Sequence, residues 1–530
     1  MVAAAQAAQA AQHLNVVVFM VFLGLCAFLW LFTGSGTDDA AMFPTLDQPG
    51  KAWHSGLAVS GDSLSAVTLM ALVGLIAFTG YDGLMLSLGC VTGLILLTLL
   101  IAEPLRRAGG HTVGGALARR FPCRSVRTAV ALVTLGVCLP YLVLQLTAIS
   151  TLTGFVLGLT GSAPRTACTL AIGVLMTSLA VSGGIRGTAR VQIVKVVVLL
   201  AALAVFAGMV LHRFDWNPDH LLSTAASRSG LGDAFLGPGV QYGPGAGGVL
   251  NRLGQFVTLA LAVAALPQVT MRVLTAPKGR ATRTAMHWAI AQLVMVSALL
   301  VVLGLGAVAI IGGAGLHRAD PSGSGSLLVL AGALDPGGTL MSVVFCVVFL
   351  TALSTVADVT VAAASTVARD LSPGSAEPGG APGRRQERRA RWAAALTGAA
   401  TVALATIAAD WNLLVLSTVA MTMAASALAP VLLYGLLWPR FTRRGALWCL
   451  YGSSVLVLLF ITVSPLISGS PAAAFPDRDF HWTPLLNPGL VTVPVGFALG
   501  WLGSRLDPHG QAPGRYEDLT AAALLGARTD

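Results

Sequence analysis

The sequence predicts an all-α polytopic membrane protein. Its 530 residues are 55% hydrophobic and only 10% charged, a composition that a soluble domain cannot bury. Apolar windows of about 20 residues, the length that crosses a ~30 Å hydrocarbon core, recur along the whole chain. About thirteen spans are predicted, near 14–33, 55–79, 82–103, 127–150, 167–184, 191–211, 251–271, 286–313, 339–367, 392–409, 412–437, 444–466 and 486–504.

Arginine and lysine residues concentrate in alternate connections between these spans. Short basic connections stay in the cytoplasm, so the N-terminus is predicted outside and the C-terminus inside the cell membrane. The net charge of +10 is thereby assigned to membrane orientation, and no nucleic-acid partner is predicted. One connection, 34–54, fits this pattern poorly. The basic residues counted include Arg106, Arg107, Arg119, Arg120, Arg124, Arg127, Arg186, Arg190, Lys195, Arg272, Lys278, Arg280, Arg283, Arg384, Arg385, Arg440, Arg443 and Arg444.

Several features exclude other classes of protein. The seven cysteines are scattered, with no spacing typical of zinc or of a disulfide framework, so no cofactor is predicted. No catalytic motif falls within the spans, so an enzyme is not expected. The glycine-rich stretch 230–248 is interpreted as a flexible outer loop, because no strand precedes it as a phosphate-binding loop requires. Residues 372–384 form a predicted linker.

Two spans contain residues that interrupt a helix. In the second span, Gly61 precedes Asp62, Ser63 and Ser65, and unwound backbone at membrane depth is tolerated where it lines a cavity. The alternative is an ordinary helix whose serines bond to carbonyls one turn back. In the seventh span, Pro267 removes a backbone hydrogen bond. Two interruptions five spans apart predict two inverted five-helix repeats around a central site.

The same segments carry a series of short motifs in a fixed order. They are SGDSLSA (60–66), GYDG (80–83), IAEPLR (101–106), YLVLQ (141–145), VQIVK (191–195), LPQVTMR (266–272) and an ARD ending at Asp370. This series resembles the sodium/solute symporter family, and cation/acetate permeases in particular, over about residues 54–440.

The resemblance implies a LeuT-like fold of ten core helices. The implied divisions are an extra helix and loop (1–54), a first repeat (55–212), an extracellular loop (213–249), a second repeat (250–437), two extra spans (438–504) and a cytoplasmic tail (505–530).

The resemblance also implies a sodium site between the broken helix and the eighth core helix. The matching positions are the hydroxyls of Ser354 and Thr355 and the carbonyls of Thr351, Gly61 and Leu64. Oxygen ligands suit a hard cation. The alternative for the two hydroxyl residues is helix packing alone.

Two departures from the family pattern affect the coupling ion. Sugar-type relatives have an acidic residue where this chain has Ala189, and Asp358 stands where acetate-type relatives have a small residue. Asp358 lies one turn beyond Ser354 on the same helical face, so Asp358 and Asp62 are candidates for an ion path or for taking a proton. The alternative is that Asp358 is salt-bridged to an internal arginine. Sodium is therefore the expected coupling ion, with the proton as the alternative.

The resemblance implies a small monocarboxylate substrate, such as acetate, propionate or pyruvate. The start of the helix after the break presents amide groups that suit a carboxylate. The polar candidates for this site are Ser63, Ser65, Tyr141, Gln145, Gln255, Thr258 and Gln268.

The predicted function is secondary active symport by alternating access. Symport of an amino acid or other small solute and a transporter-like sensor are the alternatives. The predicted partners are the anionic substrate and membrane lipid, and a small membrane partner or a homo-oligomer stays open.

Overall fold

A computed structural model describes residues 16–24, 52–159, 161–275, 280–371, 384–408, 413–469, 473–475 and 477–507. Every regular element within these ranges is a helix. The longer helices are α1 (16–24), α2 (Ala52–Ser63), α3 (Ala66–Thr79), α4 (Tyr81–Ala108), α5 (Val113–Arg120), α6 (Arg124–Val156), α7 (Ser162–Arg213), α8 (Pro218–Ser229), α9 (Ala246–Ala265), α10 (Pro267–Thr275), α11 (Arg280–Ile311), α12 (Gly313–Ala319), α13 (Ser326–Leu334), α14 (Thr339–Leu371), α15 (Arg384–Ile407), α16 (Leu413–Leu437), α17 (Arg443–Thr462) and α18 (Gly489–Arg505).

The described residues contain 10 helices long and apolar enough to cross a membrane, or up to 11 if α2 and α3 form one bent span. The predicted number of thirteen is therefore not confirmed. Only 16–24 of the predicted first span is described, and α18, over the last predicted span, has 17 residues. The connection at 34–54 lies largely outside the described residues, as does the linker at 372–384.

The predicted break between the fifth and sixth spans differs from the structure. The helical backbone continues through 183–190, so that α7 has 52 residues. A straight helix of this length would measure about 78 Å, well over twice the ~30 Å apolar core. Two parts of α7, Ala163–Ser182 and Val191–Arg213, each have the length and hydropathy of a span. Two spans are thus present where the sequence predicts them, without the predicted interruption of the helix.

Both predicted interruptions of core helices are confirmed. Helix α2 ends at Ser63, α3 begins at Ala66, and the two axes differ in direction by 64°. The Ser65 hydroxyl caps α3 by accepting from the Thr68 amide at 3.0 Å. Further along, α9 ends at Ala265 and α10 begins at Pro267, with Leu266 between them at an extended ψ of 131°. Since Pro267 is the first residue of α10, its missing N–H costs that helix no hydrogen bond.

The broken segments lie in the centre of the bundle. Helix α2 packs against α7, α10 and α11, and α14 packs against α6, α7 and α15. Helix α14 is nearly covered by its neighbours, as almost every side chain from Val344 to Asp370 is buried. Near the N-terminal end of α14, the ring of Phe19 on α1 lies 5.0 Å from the rings of Phe345 and Phe349. The break in α2–α3 therefore faces a helix that is itself inside the protein.

Arginines at one end of the bundle hold helix ends as well as carrying charge. Arg120 is buried and donates to five carbonyls around the end of α16, including that of Gly435 at 2.6 Å. Arg127 pairs with the buried Asp370 at 3.0 Å. The interpretation of these two arginines as orientation charges alone is therefore incomplete.

The glycine-rich segment after α8 is attached to the bundle. The amides of Gly239 and Gln241 donate to the buried Asp82 carboxylate on α4, at 3.1 and 2.8 Å. Burial, together with the Asp82 charge, raises the pKa of the Tyr242 phenol, which keeps its hydroxyl protonated and donating to Gln255. The predicted flexible loop is thus fastened at these points, and two of its amides bind a carboxylate of the protein itself.

Candidate functional site

The site is built on the two unwound residues between α2 and α3, Leu64 and Ser65. Where a helix stops, its last carbonyls lose their intrahelical partners and point into the gap. The Leu64 carbonyl lies in this gap and faces α7 and α14, and the Gly61 carbonyl, which still accepts from the Leu64 amide at 3.2 Å, also faces α7. Gly61 also allows close approach, because a Cβ there would lie 2.6 Å from the Gln192 side-chain oxygen on α7. The break therefore presents backbone oxygens at the centre of the bundle.

A lysine side chain binds both of these carbonyls. Lys195, on α7, is 0% exposed, and its Nζ donates to the Gly61 oxygen at 2.6 Å and to the Leu64 oxygen at 3.0 Å. From the sequence, this lysine is predicted to lie in a basic connection that orients the protein in the membrane. The structure corrects that interpretation, because a fully buried ammonium cannot serve as an exposed orientation charge.

The predicted hydroxyl residues lie on the opposite wall, on α14. The Ser354 and Thr355 hydroxyls both donate to the Thr351 carbonyl, at 2.9 and 2.8 Å. Thr355 also approaches the Leu64 oxygen at 3.5 Å, which joins the two walls. The five predicted cation ligands are thus linked by contacts across the break, and the Lys195 ammonium binds two of them. Sodium binding by these residues stays a prediction.

The two predicted carboxylates meet at a buried arginine. Arg272, on α10, donates from Nε to Asp62 at 2.7 Å and from Nη2 to Asp358 at 3.0 Å. Gln192 donates to the other oxygen of Asp358. All four residues are at most 6% exposed. The structure thus shows the alternative stated for Asp358, a salt bridge to an internal arginine, and it corrects the interpretation of Arg272 as an orientation charge.

Formal charges balance in this central cluster, which we define as Asp62, Lys195, Arg272 and Asp358. Two carboxylates and two cations, all buried, sum to zero when ionised. Burying an unpaired charge costs several kcal/mol, so this balance is what allows four ionisable groups at membrane depth. The cluster also connects α2 and α10, one helix from each interruption, with α7 and α14.

The predicted substrate residues divide into two groups. In the first, Gln145 on α6 is 0% exposed, and neither of its amide atoms makes a hydrogen bond of good geometry with a described residue. Tyr141, one turn before it, lies within reach of both Gln145 and Ser65. Gln268, beside the second interruption, is also buried, with its Nε2 unbonded within the described structure. Buried orphan amides are rare and call for a ligand or a water.

In the second group, local partners satisfy the side chains. Ser63 donates to the Val59 carbonyl at 3.1 Å, and Ser65 caps α3. Gln255 accepts from the loop residue Tyr242, while Thr258 bonds Asn487 at 3.0 Å near the start of α18. Substrate contact by these four residues stays a prediction. Substrate contact by Tyr141, Gln145 and Gln268 is likewise a prediction, although Gln145 and Gln268 have side-chain atoms without a bond of good geometry to a described residue.

No group of three His, Cys, Asp or Glu residues among the described residues has the geometry to hold a metal ion. The two buried cations of the central cluster, Lys195 and Arg272, nevertheless have a signal in the sequence. Lys195 stands inside the apolar run VQIVKVVVLL, and Arg272 ends a motif beside a helix-breaking proline. Ionisable residues within a span mark functional paths more often than membrane orientation.

Comparisons with known proteins agree with this architecture. The model of the sodium:solute symporter family matches residues 51–452. A monocarboxylic acid transporter of Corynebacterium glutamicum is 31% identical over 518 residues, which is 96% of this chain and 93% of the relative. The uncharacterized symporter YwcA of Bacillus subtilis is 31% identical over 496 residues, covering 93% of this chain and 95% of that protein.

A solved structure shows the same fold. The substrate-bound, outward-open state of a Na+-coupled sialic acid symporter superimposes with a TM-score of 0.67, at 14% identity, covering 94% of this chain and 98% of the other. At that identity the likeness shows the fold alone. The predicted all-α, LeuT-like fold class is thereby confirmed.

Proposed function

Because this chain belongs to the sodium:solute symporter family, we propose that it is a secondary transporter that carries a small monocarboxylate together with a cation. Its many apolar helices place it in a membrane as a multi-pass protein. Acetate, propionate and pyruvate are the substrates of the proposed class. The name of the Corynebacterium glutamicum relative, at 31% identity, supports a monocarboxylate.

The observation that carries this proposal is the buried orphan amide of Gln145 beside the start of α3. A helix leaves its first four N–H groups without intrahelical partners, and its N-terminal end attracts anions. Gln145 adds an amide that makes no hydrogen bond of good geometry with a described residue. Tyr141 lies within reach of Ser65, the cap of α3, and so connects the two. A carboxylate would satisfy these donors.

The ionic contacts suggest how cargo and cation sites communicate. The Gly61 carbonyl accepts a hydrogen bond from the Lys195 ammonium. The next residue, Asp62, forms an ion pair with Arg272 on the second interrupted segment. Rotation of the α2–α3 or α9–α10 segments would therefore alter both the carbonyl positions and the ion pairs. Alternating access by movement of the broken helices is the proposed mechanism. The outside location of the N-terminus is part of the same proposal.

Uptake by purified protein in liposomes tests the substrate class. Labelled acetate, propionate and pyruvate are offered, with proline and glucose as controls, under separately imposed sodium and proton gradients. We expect monocarboxylate uptake that exceeds that of empty liposomes under at least one gradient, and no uptake of the controls. Gln145→Met should lower uptake while the protein remains folded. Uptake of proline in place of every monocarboxylate would support the amino-acid alternative and contradict the proposal.

A further inference from the structure

The sodium position implied by the family resemblance does not fit a sodium ion in this chain. Two of its five oxygens, those of Gly61 and Leu64, already accept hydrogen bonds from the Lys195 ammonium. A third, that of Thr351, accepts from the Ser354 and Thr355 hydroxyls. A sodium ion bound to the same two carbonyls would stand within a few ångströms of a like charge in a low-dielectric interior, where repulsion is strongest.

We infer that the Lys195 ammonium is the resident cation of this site, and that this carrier does not take sodium there. The ammonium is tethered to α7 and supplies one positive charge between the two carbonyls of the break. It therefore supplies the positive charge that a bound sodium ion would supply, and it holds the break between α2 and α3 against α7, where sodium would hold it against α14. The inference rests on the proposed function for the carrier's cargo and deepens it by naming the cation.

The charge balance of the central cluster supports the same conclusion. Lys195 and Arg272 together match Asp62 and Asp358, so an added sodium ion would leave a net charge of +1 among buried groups. An unmatched buried charge is costly. Of the two candidate coupling ions, sodium and the proton, the proton remains. Sodium-independent uptake is the direct consequence.

Thermal unfolding of the purified protein in detergent tests the site without using transport. The melting temperature (Tm) is measured in NaCl and, at equal ionic strength, in KCl and choline chloride. A ligand that binds only the folded state raises the Tm in a saturable way. We expect no sodium-specific rise for the unmodified protein. A saturable sodium-specific rise would overturn the inference.

Removing the lysine gives the converse test. Lys195→Ala leaves the Gly61, Leu64 and Thr351 oxygens and two hydroxyls without the ammonium, and it should gain a sodium-specific, saturable rise in Tm. Lys195→Met, which keeps the length of the stem, is the second variant if the first does not fold. Arg228→Ala is the matched control, because Arg228 donates to the Ala309 carbonyl at 2.8 Å on another part of the bundle. If the lysine variants that fold show no sodium-specific rise in Tm, the inference is overturned.

Transport separates this inference from the proposed function. Uptake of labelled pyruvate is measured in wild-type liposomes with sodium, and with choline replacing sodium on both sides. Equal rates support the Lys195 assignment, and loss of uptake without sodium overturns it. If pyruvate does not enter under any condition, the substrate proposal fails, while the Tm measurements still decide the cation site.

Discussion

Replacing Arg272 tests the central cluster most sharply, because one guanidinium holds two carboxylates. Arg272 is 6% exposed, with Asp62 at 2% and Asp358 at 5%, so water cannot replace the lost contacts. Its bonds to Asp62 at 2.7 and 3.2 Å and to Asp358 at 3.0 Å all disappear in Arg272→Gln. Two buried carboxylates then face the single cation of Lys195.

The expected loss of stability follows from these contacts. Removing one partner of a buried ion pair costs about 3–5 kcal/mol, since the other charge is left uncompensated. That corresponds to a factor of roughly a hundred to a few thousand in the ratio of folded to unfolded protein. Arg283→Gln is the matched control. Its side chain is 67% exposed and pairs with Glu103 near the end of α4, so its loss should cost about 1 kcal/mol or less.

The assay is thermal unfolding of the purified variants, followed by intrinsic tryptophan fluorescence. Arg272→Gln should lower the Tm by several degrees, and Arg283→Gln should leave it nearly unchanged. Replacing one carboxylate, by Asp358→Asn in the Arg272→Gln background, should recover part of the loss, because Asp62 and Lys195 then balance each other. A Tm for Arg272→Gln equal to that of the control would refute the assignment of this ion pair to the buried centre.

Three further predictions concern separate parts of the chain. Gln145→Met should raise the Tm, because it removes a buried amide that costs about 1–3 kcal/mol unpaired, and a lower Tm would indicate hidden partners. Gly61→Ala should lower the Tm by the equivalent of about 1–3 kcal/mol, since its Cβ would lie 2.6 Å from the Gln192 side chain; an unchanged Tm would show that Gln192 can move. Burial, with Arg369 and Arg119 nearby, lowers the pKa of His111 from 6.5 to about 4. The unfolded chain therefore binds more protons between these values, so stability falls as the pH falls from 6.5 towards 4, and His111→Gln should flatten that fall in a Tm-against-pH profile.

Much of the fold is predictable from local chemistry. Pro267 and the run from Gly61 to Ser65 both weaken a helix, and both breaks are confirmed where the sequence places them. The spans follow from hydropathy alone. The continuous backbone of α7 does not, because glycines and arginines between two apolar stretches are as typical of a turn as of a helix crossing the membrane interface.

The chemistry of the centre depends on which side chains meet, and a sequence pattern does not contain that information. Lys195 lies 134 residues from Gly61, and Arg272 lies 210 residues from Asp62, so both pairings follow only from the packing of α7 and α10 on α2. When basic residues are grouped by the connection they lie nearest to, both cations are interpreted as charges that orient the protein in the membrane. Depth within an apolar run distinguishes these two residues from the basic residues of the connections.

The substrate residues show the same limit. Gln145 and Gln255 are both polar residues on core helices, and helical periodicity does not distinguish them. In the structure, Gln255 is bonded to Tyr242, whereas the Gln145 amide makes no hydrogen bond of good geometry with a described residue. The difference depends on the loop before α9, whose conformation is fixed by its contacts with Asp82.

The most direct test of the proposed function is counterflow of labelled pyruvate into liposomes preloaded with unlabelled substrate. Counterflow needs no ion gradient, so it tests the cargo and the site without assuming the coupling ion. We expect transient accumulation of label in wild-type liposomes loaded with pyruvate or propionate, none in those loaded with proline or glucose, and a marked loss in Gln145→Met. Accumulation driven only by internal proline or glucose, or an undiminished rate in Gln145→Met, would contradict the account.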